Sequence, residues 1–146
     1  ETEALQTLQG LAGTALDDLA RHAHAGTAGP ESGGCAPDVV DALATLARRL
    51  IDGCEAAIRK YGIPAHTVNL DAKGCVSYRA TPMKSYRDFL DTRPELFSAS
   101  YPWLLNRGIF MTPGDEEQWT LSVQHTPEDI DRYVGVFSEF CHELTK

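Results

Sequence analysis

Residues 103–132 read WLLNRGIFMTPGDEEQWTLSVQHTPEDIDR, and this stretch decides the fold. It opens on the end of an apolar helical run, where Arg107 and Gly108 are typical of a helix stop because glycine accepts positive φ. Residues 109–111 are apolar, so we predict a short buried strand there. Residues 112–115 then contain the proline and glycine of a turn.

The second half of the stretch predicts a strand followed by a helix. Trp119, Leu121 and Val123 alternate with polar residues, which is the period of a strand with one buried face. Thr126 and Pro127 then form a helix start, with a hydroxyl at the N-cap and proline at the first helical position. The stretch is therefore predicted to be an αββα unit whose polar residues gather at its turn.

Outward from this unit, the sequence predicts a long amphipathic helix from Asp38 to about Tyr61, ended by Gly62. A hairpin follows, with strands at 68–70 and 75–79 joined by a turn at 71–74. Short helices are predicted to start near Ser85 and Pro94, and a C-terminal helix at residues 127–144. The predicted fold class is α+β, with a small antiparallel sheet of three to four strands covered by the long helix and the C-terminal helix.

The chain divides by composition into three parts. Residues 1–25 carry leucine and alanine on one narrow face, which predicts an amphipathic docking helix. Residues 26–37 are rich in glycine and punctuated by proline, which predicts a flexible linker. Residues 38–146 form the predicted domain.

Charge and cysteine content exclude several classes of function. With 13 basic and 21 acidic residues among 146, the net charge is −8, which argues against nucleic-acid or anionic-membrane partners. The four cysteines show no C-x-x-C pair and no histidine pair at finger spacing, so reduced thiols and no metal site are predicted. No signal peptide or membrane-length apolar run is evident, so a cytoplasmic location is expected.

The order of short motifs in the deciding stretch resembles that of a known family. The motifs are Arg107-Gly108-Ile109, Pro113, Glu117, Leu121-Ser122, His125-Thr126 and Asp129-Ile130, preceded by Lys73-Gly74. Over roughly residues 37–145 the chain resembles the C-terminal part of class III pyridoxal-phosphate aminotransferases, most closely the glutamate-1-semialdehyde aminomutase branch. The resemblance implies the small C-terminal domain of fold type I pyridoxal-phosphate enzymes.

The resemblance also implies that the chain is only part of an enzyme. Transamination needs a lysine that forms a Schiff base with pyridoxal 5'-phosphate, and in the family this lysine lies in the large domain. The four lysines here, Lys60, Lys73, Lys84 and Lys146, lie in nothing resembling that segment. No catalytic residue and no covalently bound cofactor are expected in this chain. The chain is then a fragment or a split subunit, partnered by a cofactor-binding large domain or companion polypeptide in a homodimer or heteromer.

Three consecutive residues are the candidate site. By position, Glu117 corresponds to a glutamate that aminomutase-like relatives carry near the cofactor pocket, and Gln118 and Trp119 would add a polar contact and a pocket wall. The alternatives are a solvated acidic turn for Glu117 and ordinary packing for Trp119. The resemblance also places a carboxylate-gripping arginine of the aminotransferase branches near Leu121, and its absence implies an aminomutase-like or atypical substrate.

Two other polar residues have simpler interpretations. His125 carries an imidazole, a group that can act as a general base, but its place just before Thr126 favours hydrogen bonding to the turn. Arg107 is interpreted as a helix-end cation or interface contact. Two functional hypotheses remain: part of a pyridoxal-phosphate aminotransferase or aminomutase, and a non-catalytic interaction module with the small-domain fold.

Overall fold

The computed structural model describes residues 37–112 and 118–146. Their elements are α1 (Pro37–Tyr61), β1 (His66–Leu70), β2 (Lys73–Ser77), α2 (Tyr86–Phe89), α3 (Pro94–Leu105), β3 (Gln118–Thr120) and α4 (Pro127–Glu143). The predicted docking helix at 1–25 and the linker up to residue 36 lie outside the described residues. Pro37, predicted as the end of the linker, is instead the first residue of α1, as expected of a proline at a position where no N–H donor is needed.

The strands form one antiparallel sheet in the order β1-β2-β3. Leu70 pairs with Lys73, so the hairpin turn contains only Asp71 and Ala72, and not the four residues 71–74 that the sequence predicted. Asp71 has a φ of 49°, the left-handed conformation that a short polar residue tolerates. The predicted α+β fold with three to four strands is confirmed, with three strands in the described part of the chain.

The αββα prediction is wrong in its first strand. Residues 109–112 are not in a strand. The N–H of Ile109 donates to the carbonyl of Leu104 (3.0 Å), so the first residue of this segment completes the C-terminal turn of α3. Phe110 is 75% exposed and only Met111 is buried. The segment therefore has no strand partner among the described residues, and Met111 and Ile109 attach it to the core.

The second predicted strand is shorter than expected. Trp119 and Leu121 are buried as the alternation predicted, but Val123 is 65% exposed. The Leu121 N–H donates to the Ala72 carbonyl (2.8 Å), and the chain then turns, because the N–H of His125 donates to the Ser122 carbonyl (3.0 Å). β3 therefore ends at Thr120, and Val123 belongs to the turn before α4.

The core lies between the helices and one face of the sheet. Helix α1 packs against α4 and against β1, and α3 packs against α4. The half-buried carboxylate of Glu55 on α1 accepts hydrogen bonds from the N–H (2.6 Å) and hydroxyl (2.8 Å) of Thr67 on β1. The largest fully buried side chains include Phe137, Leu50, Leu104, Cys54 and Cys141. The predicted covering of the sheet by the long and C-terminal helices is therefore observed.

The described cysteines are free thiols. Cys54 and Cys141 are fully buried on α1 and α4, and loss of water raises the pKa of both, that of Cys141 to about 12. Within residues 37–112 and 118–146, no cluster of three or more histidine, cysteine or acidic side chains suits a metal ion. Nor is any helix of these ranges long and apolar enough to cross a membrane.

The predicted helix ends are present. Gly62, after α1, has a φ of 64°. At the start of α4, the Thr126 hydroxyl accepts the N–H of Asp129 (3.3 Å), while the Asp129 carboxylate accepts the Thr126 N–H (2.8 Å) and hydroxyl (2.9 Å). This reciprocal capping box fixes the direction in which α4 leaves the turn.

Thr126→Ala is expected to lower the free energy of unfolding by about 1 kcal/mol at neutral pH, because the cap hydroxyl is lost. The hydrogen bonds from Thr126 hold the pKa of Asp129 below its usual value. A lowered carboxyl pKa contributes stability above the unfolded pKa, and this contribution is lost as the pH falls through the folded pKa. The gap between wild type and variant should therefore shrink in acid, as measured by urea unfolding across the carboxyl range.

Thr145→Ala is the matched control for this variant. The Thr145 hydroxyl donates to the His142 carbonyl (2.8 Å) beyond the end of α4, where it caps no helix start. Its loss should change the free energy of unfolding by less than about 0.5 kcal/mol, with no pH trend. Equal effects of the two substitutions would contradict the capping role.

Candidate functional site

A cleft of about 470 Å³ opens between the 108–112 segment, β3 and the first half of α4. Gln118 and Trp119, two of the three predicted site residues, line it, and Glu117 lies outside the described residues. The apolar part of its wall includes Phe110, Met111, Trp119, Leu121, Ile130 and Tyr133. Gln118 and Trp119 therefore lie at a concavity, and their part in binding a substrate or cofactor stays a prediction.

Trp119 both packs and lines the cleft. It is 5% exposed, and its ring meets that of Tyr133 edge-on, with centroids 6.2 Å apart. A Cβ at Gly74, its cross-strand partner, would lie 2.6 Å from Trp119 Cζ2. Among the described residues, the buried indole N–H has no hydrogen-bond partner. Trp119 is therefore a packed residue whose ring also borders the cleft, and its role as the wall of a substrate pocket stays a prediction.

His125 lies in the cleft but is tied to the turn. The N–H of Ser122 donates to His125 Nδ1 (3.0 Å), and the Ser122 hydroxyl lies 3.1 Å from the same nitrogen. Because Nδ1 accepts this bond, the neutral imidazole carries its proton on Nε2. This geometry agrees with the hydrogen-bonding interpretation of His125, and leaves Nε2–H as a donor.

Arg107 is held away from the cleft. Its guanidinium lies over the ring of Trp103, 3.4 Å from the centroid, and its Nε is 3.3 Å from the Glu139 carboxylate. It also donates to the Trp103 carbonyl. Arg107 is therefore a helix-end cation that joins α3 to α4, as predicted.

Arg132 is a cleft residue that the sequence reasoning missed. It lines the cleft, and its Nη2 donates to the carbonyl of Arg107 (2.9 Å). A signal was present, because Asp129, Arg132 and Tyr133 follow one another at the three- and four-residue spacing of one helix face. What the sequence did not reveal is that the segment after α3 passes against this face.

None of the lysines lines the cleft. Lys60 Nζ lies 4.8 Å from the Tyr61 ring centroid, Lys146 pairs with Glu143 (2.6 Å), and the backbone N–H of Lys84 donates to Asp88. Lys73 is exposed on β2. The cleft residues therefore do not fit covalent attachment of pyridoxal phosphate at this place.

Comparison of the chain with known proteins finds similar aminomutases. No family model matches the chain. The glutamate-1-semialdehyde 2,1-aminomutase of Symbiobacterium thermophilum is 33% identical over 111 residues, which are 74% of this chain and 25% of the relative. That of Clostridium novyi is 30% identical over 107 residues, which are 73% of this chain and 25% of the relative. The second such aminomutase of Geobacillus kaustophilus is 36% identical over 97 residues, 65% of this chain and 22% of the relative.

Solved structures show the same fold. A glutamate-1-semialdehyde aminomutase from Pseudomonas aeruginosa, in complex with PMP, has a TM-score of 0.71 at 18% identity, over 77% of this chain and 25% of that one. An omega-transaminase from Sphaerobacter thermophilus has a TM-score of 0.63 at 20% identity, over 76% of this chain and 25% of that one.

The fold is that of the small domain of fold type I pyridoxal-phosphate enzymes. The resemblance to the C-terminal domain of the class III enzymes is confirmed, and the relatives found are glutamate-1-semialdehyde aminomutases. The chain spans about a quarter of the length of these relatives.

Proposed function

We propose that this chain is the C-terminal, small-domain part of a pyridoxal-phosphate aminotransferase or aminomutase that acts on an amino acid or an amino-aldehyde. The observation that carries the proposal is that aminomutase similarity covers about three quarters of this chain but only a quarter of each relative. The cleft beside β3 supports it, because this concavity holds Gln118 and Trp119 at the position where substrate contacts were predicted. The chain then supplies one wall of an active site completed by other residues.

The proposed roles of the wall residues follow from their chemistry. The exposed Gln118 offers an amide that donates and accepts hydrogen bonds, and buried Trp119 offers an apolar surface that excludes water. We assign to Glu117 the positioning of the substrate's amino group through its negative charge. When bound, the cofactor supplies the electron sink for the carbon bonds of the substrate.

The proposed partner is a polypeptide or domain that carries the cofactor lysine. The cleft has no lysine among its lining residues, so the attachment site must come from elsewhere if the assembly is an enzyme. The assembled enzyme would be a homodimer or heteromer in which the small domain closes over the bound substrate. Nucleic acid is not proposed as a partner, because the chain carries a net charge of −8.

Native and then denaturing mass spectrometry of the purified protein, with a visible spectrum of the same sample, tests this proposal. A larger or second polypeptide is expected, together with visible absorbance that borohydride abolishes, because reduction fixes the lysine–cofactor link. A lone species near 16.0 kDa that stays colourless with added pyridoxal phosphate would contradict it. That result would favour a non-catalytic interaction module with the small-domain fold.

In the assembled enzyme, Glu117→Gln tests the site assignment. Loss of a positioning charge is expected to lower turnover at least about tenfold. Glu116→Gln, the neighbouring residue of the same acidic run, is the matched control and should leave turnover within about twofold. Equal effects of the two variants would support the solvated-turn interpretation and contradict the assignment.

A further inference from the structure

The guanidinium of Arg132 is held in a fixed position at the cleft. Its Nη2 donates to the Arg107 carbonyl (2.9 Å), which is 25 residues away along the chain. Gly108, the next residue, has a φ of 76°, and a Cβ there would lie 2.6 Å from Nη2. Glycine therefore serves two needs at this position: a left-handed backbone and room for the arginine.

Arg132 makes no ion pair within 4.0 Å in the described part of the chain, although its charge, after the hydrogen bonds from Thr126, helps to lower the pKa of Asp129 one turn earlier on α4. Neighbouring arginines are paired: Arg49 lies 2.6 Å from Asp131, and Arg107 lies 3.3 Å from Glu139. For Arg132, by contrast, no carboxylate of the described residues lies within 4.0 Å. One nitrogen binds the backbone, and among the described residues the remaining N–H groups of the fork have no hydrogen-bond acceptor.

The other groups at the cleft favour an anion with an apolar body. Asp129 is the one acid among the described lining residues; its Oδ2 is directed at the N–H and hydroxyl of Thr126, so its interaction with Arg132 is through space and occupies none of the arginine N–H groups. His125 presents Nε2–H when neutral, because its Nδ1 accepts the Ser122 N–H. The rest of the wall is largely aromatic and aliphatic, as in Trp119 and Tyr133. A planar guanidinium fork matches the two oxygens of a carboxylate.

We propose that Arg132 binds the carboxylate of a small organic acid whose apolar body lies against Trp119 and Tyr133. One part of this inference rests on the proposed function, namely that the bound carboxylate belongs to the substrate of the enzyme. The binding itself depends on residues of this chain alone. Arg132 is then a ligand-binding residue and its bond to the Arg107 carbonyl is what orients it.

Titration with 3-phenylpropionate, followed by NMR of the two tryptophan indole N–H signals, tests the binding. The Trp119 signal should shift and saturate, while the Trp103 indole, which donates to the Val136 carbonyl (3.2 Å) outside the cleft, should stay in place. The neutral 3-phenylpropionamide has the same apolar body without the negative charge, so its affinity shows how much the charge contributes to binding. Inorganic phosphate tests whether the site binds any anion. Both should bind at least about tenfold more weakly than the carboxylate.

Arg132→Gln should weaken 3-phenylpropionate binding at least about tenfold, and Arg132→Lys should retain part of it. Arg87→Gln removes the same charge from exposed α2 and should leave binding within about twofold. A circular dichroism melt of each variant shows whether the fold is kept. If Arg132→Gln bound as wild type does, or if phosphate bound as tightly as the carboxylate, the proposal would be overturned.

Failure of this proposal is distinguishable from failure of the proposed function. Absence of carboxylate binding would leave the cofactor-bearing partner and its visible spectrum untouched. A lone colourless chain that still bound 3-phenylpropionate through Arg132 would contradict the enzyme assignment and support the site.

Discussion

Phe137→Ala is expected to lower the free energy of unfolding by about 3–5 kcal/mol, the usual cost of truncating a buried phenylalanine. Phe137 is 1% exposed and stacks on Tyr133, with ring centroids 6.3 Å apart and planes 12° from parallel. It lies on α4, which packs against both α1 and α3. Because small domains are stable by only about 5–15 kcal/mol, urea unfolding should show a large fall in midpoint.

Phe110→Ala is the matched control, since it removes the same side chain from a position that is 75% exposed. Its effect should lie within about 0.5 kcal/mol. If Phe137→Ala does not fold, Phe137→Leu keeps the site apolar and should cost less than about 1.5 kcal/mol. Equal midpoints for the alanine variants of Phe137 and Phe110 would contradict the packing of α4.

The long helices could be predicted because their sequence patterns extend over many turns. In α4, Ile130, Phe137, Phe140 and Cys141 recur at helical spacing, and all four are buried. The start of α4 was also predictable, because a hydroxyl, a proline and an acid at fixed offsets satisfy the free N–H groups of the first turn. These are local rules, and the structure obeys them.

Strand ends depend on contacts that are distant in sequence. Residues 109–111 are apolar enough for a strand, yet their backbone closes α3 because the Ile109 N–H reaches the Leu104 carbonyl. Val123 continues the alternation of Trp119 and Leu121, yet the chain has already turned at Ser122. A short apolar run does not specify whether a partner strand is available.

The candidate site was predictable only in part, for the same reason. Gln118 and Trp119 were proposed because they adjoin a motif; both line the cleft, and their functional role stays a prediction. Arg132 was not predicted, because its position depends on a contact between segments distant in sequence. Its side chain on α4 lies beside Gly108 and donates to the Arg107 carbonyl. Glu117 lies outside the described residues, and its role stays a prediction.

Gly74→Ala is expected to lower the free energy of unfolding by about 1–3 kcal/mol, as overpacking of a well-filled site does. Gly74 pairs with Trp119 across the sheet. A Cβ at this position would lie 2.6 Å from both Trp119 Cζ2 and the carbonyl oxygen of Val68. The carbonyl oxygen belongs to the backbone of β1 and the carbon belongs to a buried ring, so relieving the clash requires β1 or the ring of the cleft wall to move.

Gly135→Ala provides a control of opposite sign. Gly135 lies within α4 on an exposed face, and a Cβ there would meet nothing within 4 Å. Alanine in a helix interior should raise the free energy of unfolding by up to about 1 kcal/mol. Urea unfolding followed by tryptophan fluorescence measures both variants, and in Gly74→Ala the native emission should also change because Trp119 moves. A Gly74→Ala protein as stable as wild type, with unchanged emission, would show that Trp119 does not lie against β2 and so does not form the wall of the cleft.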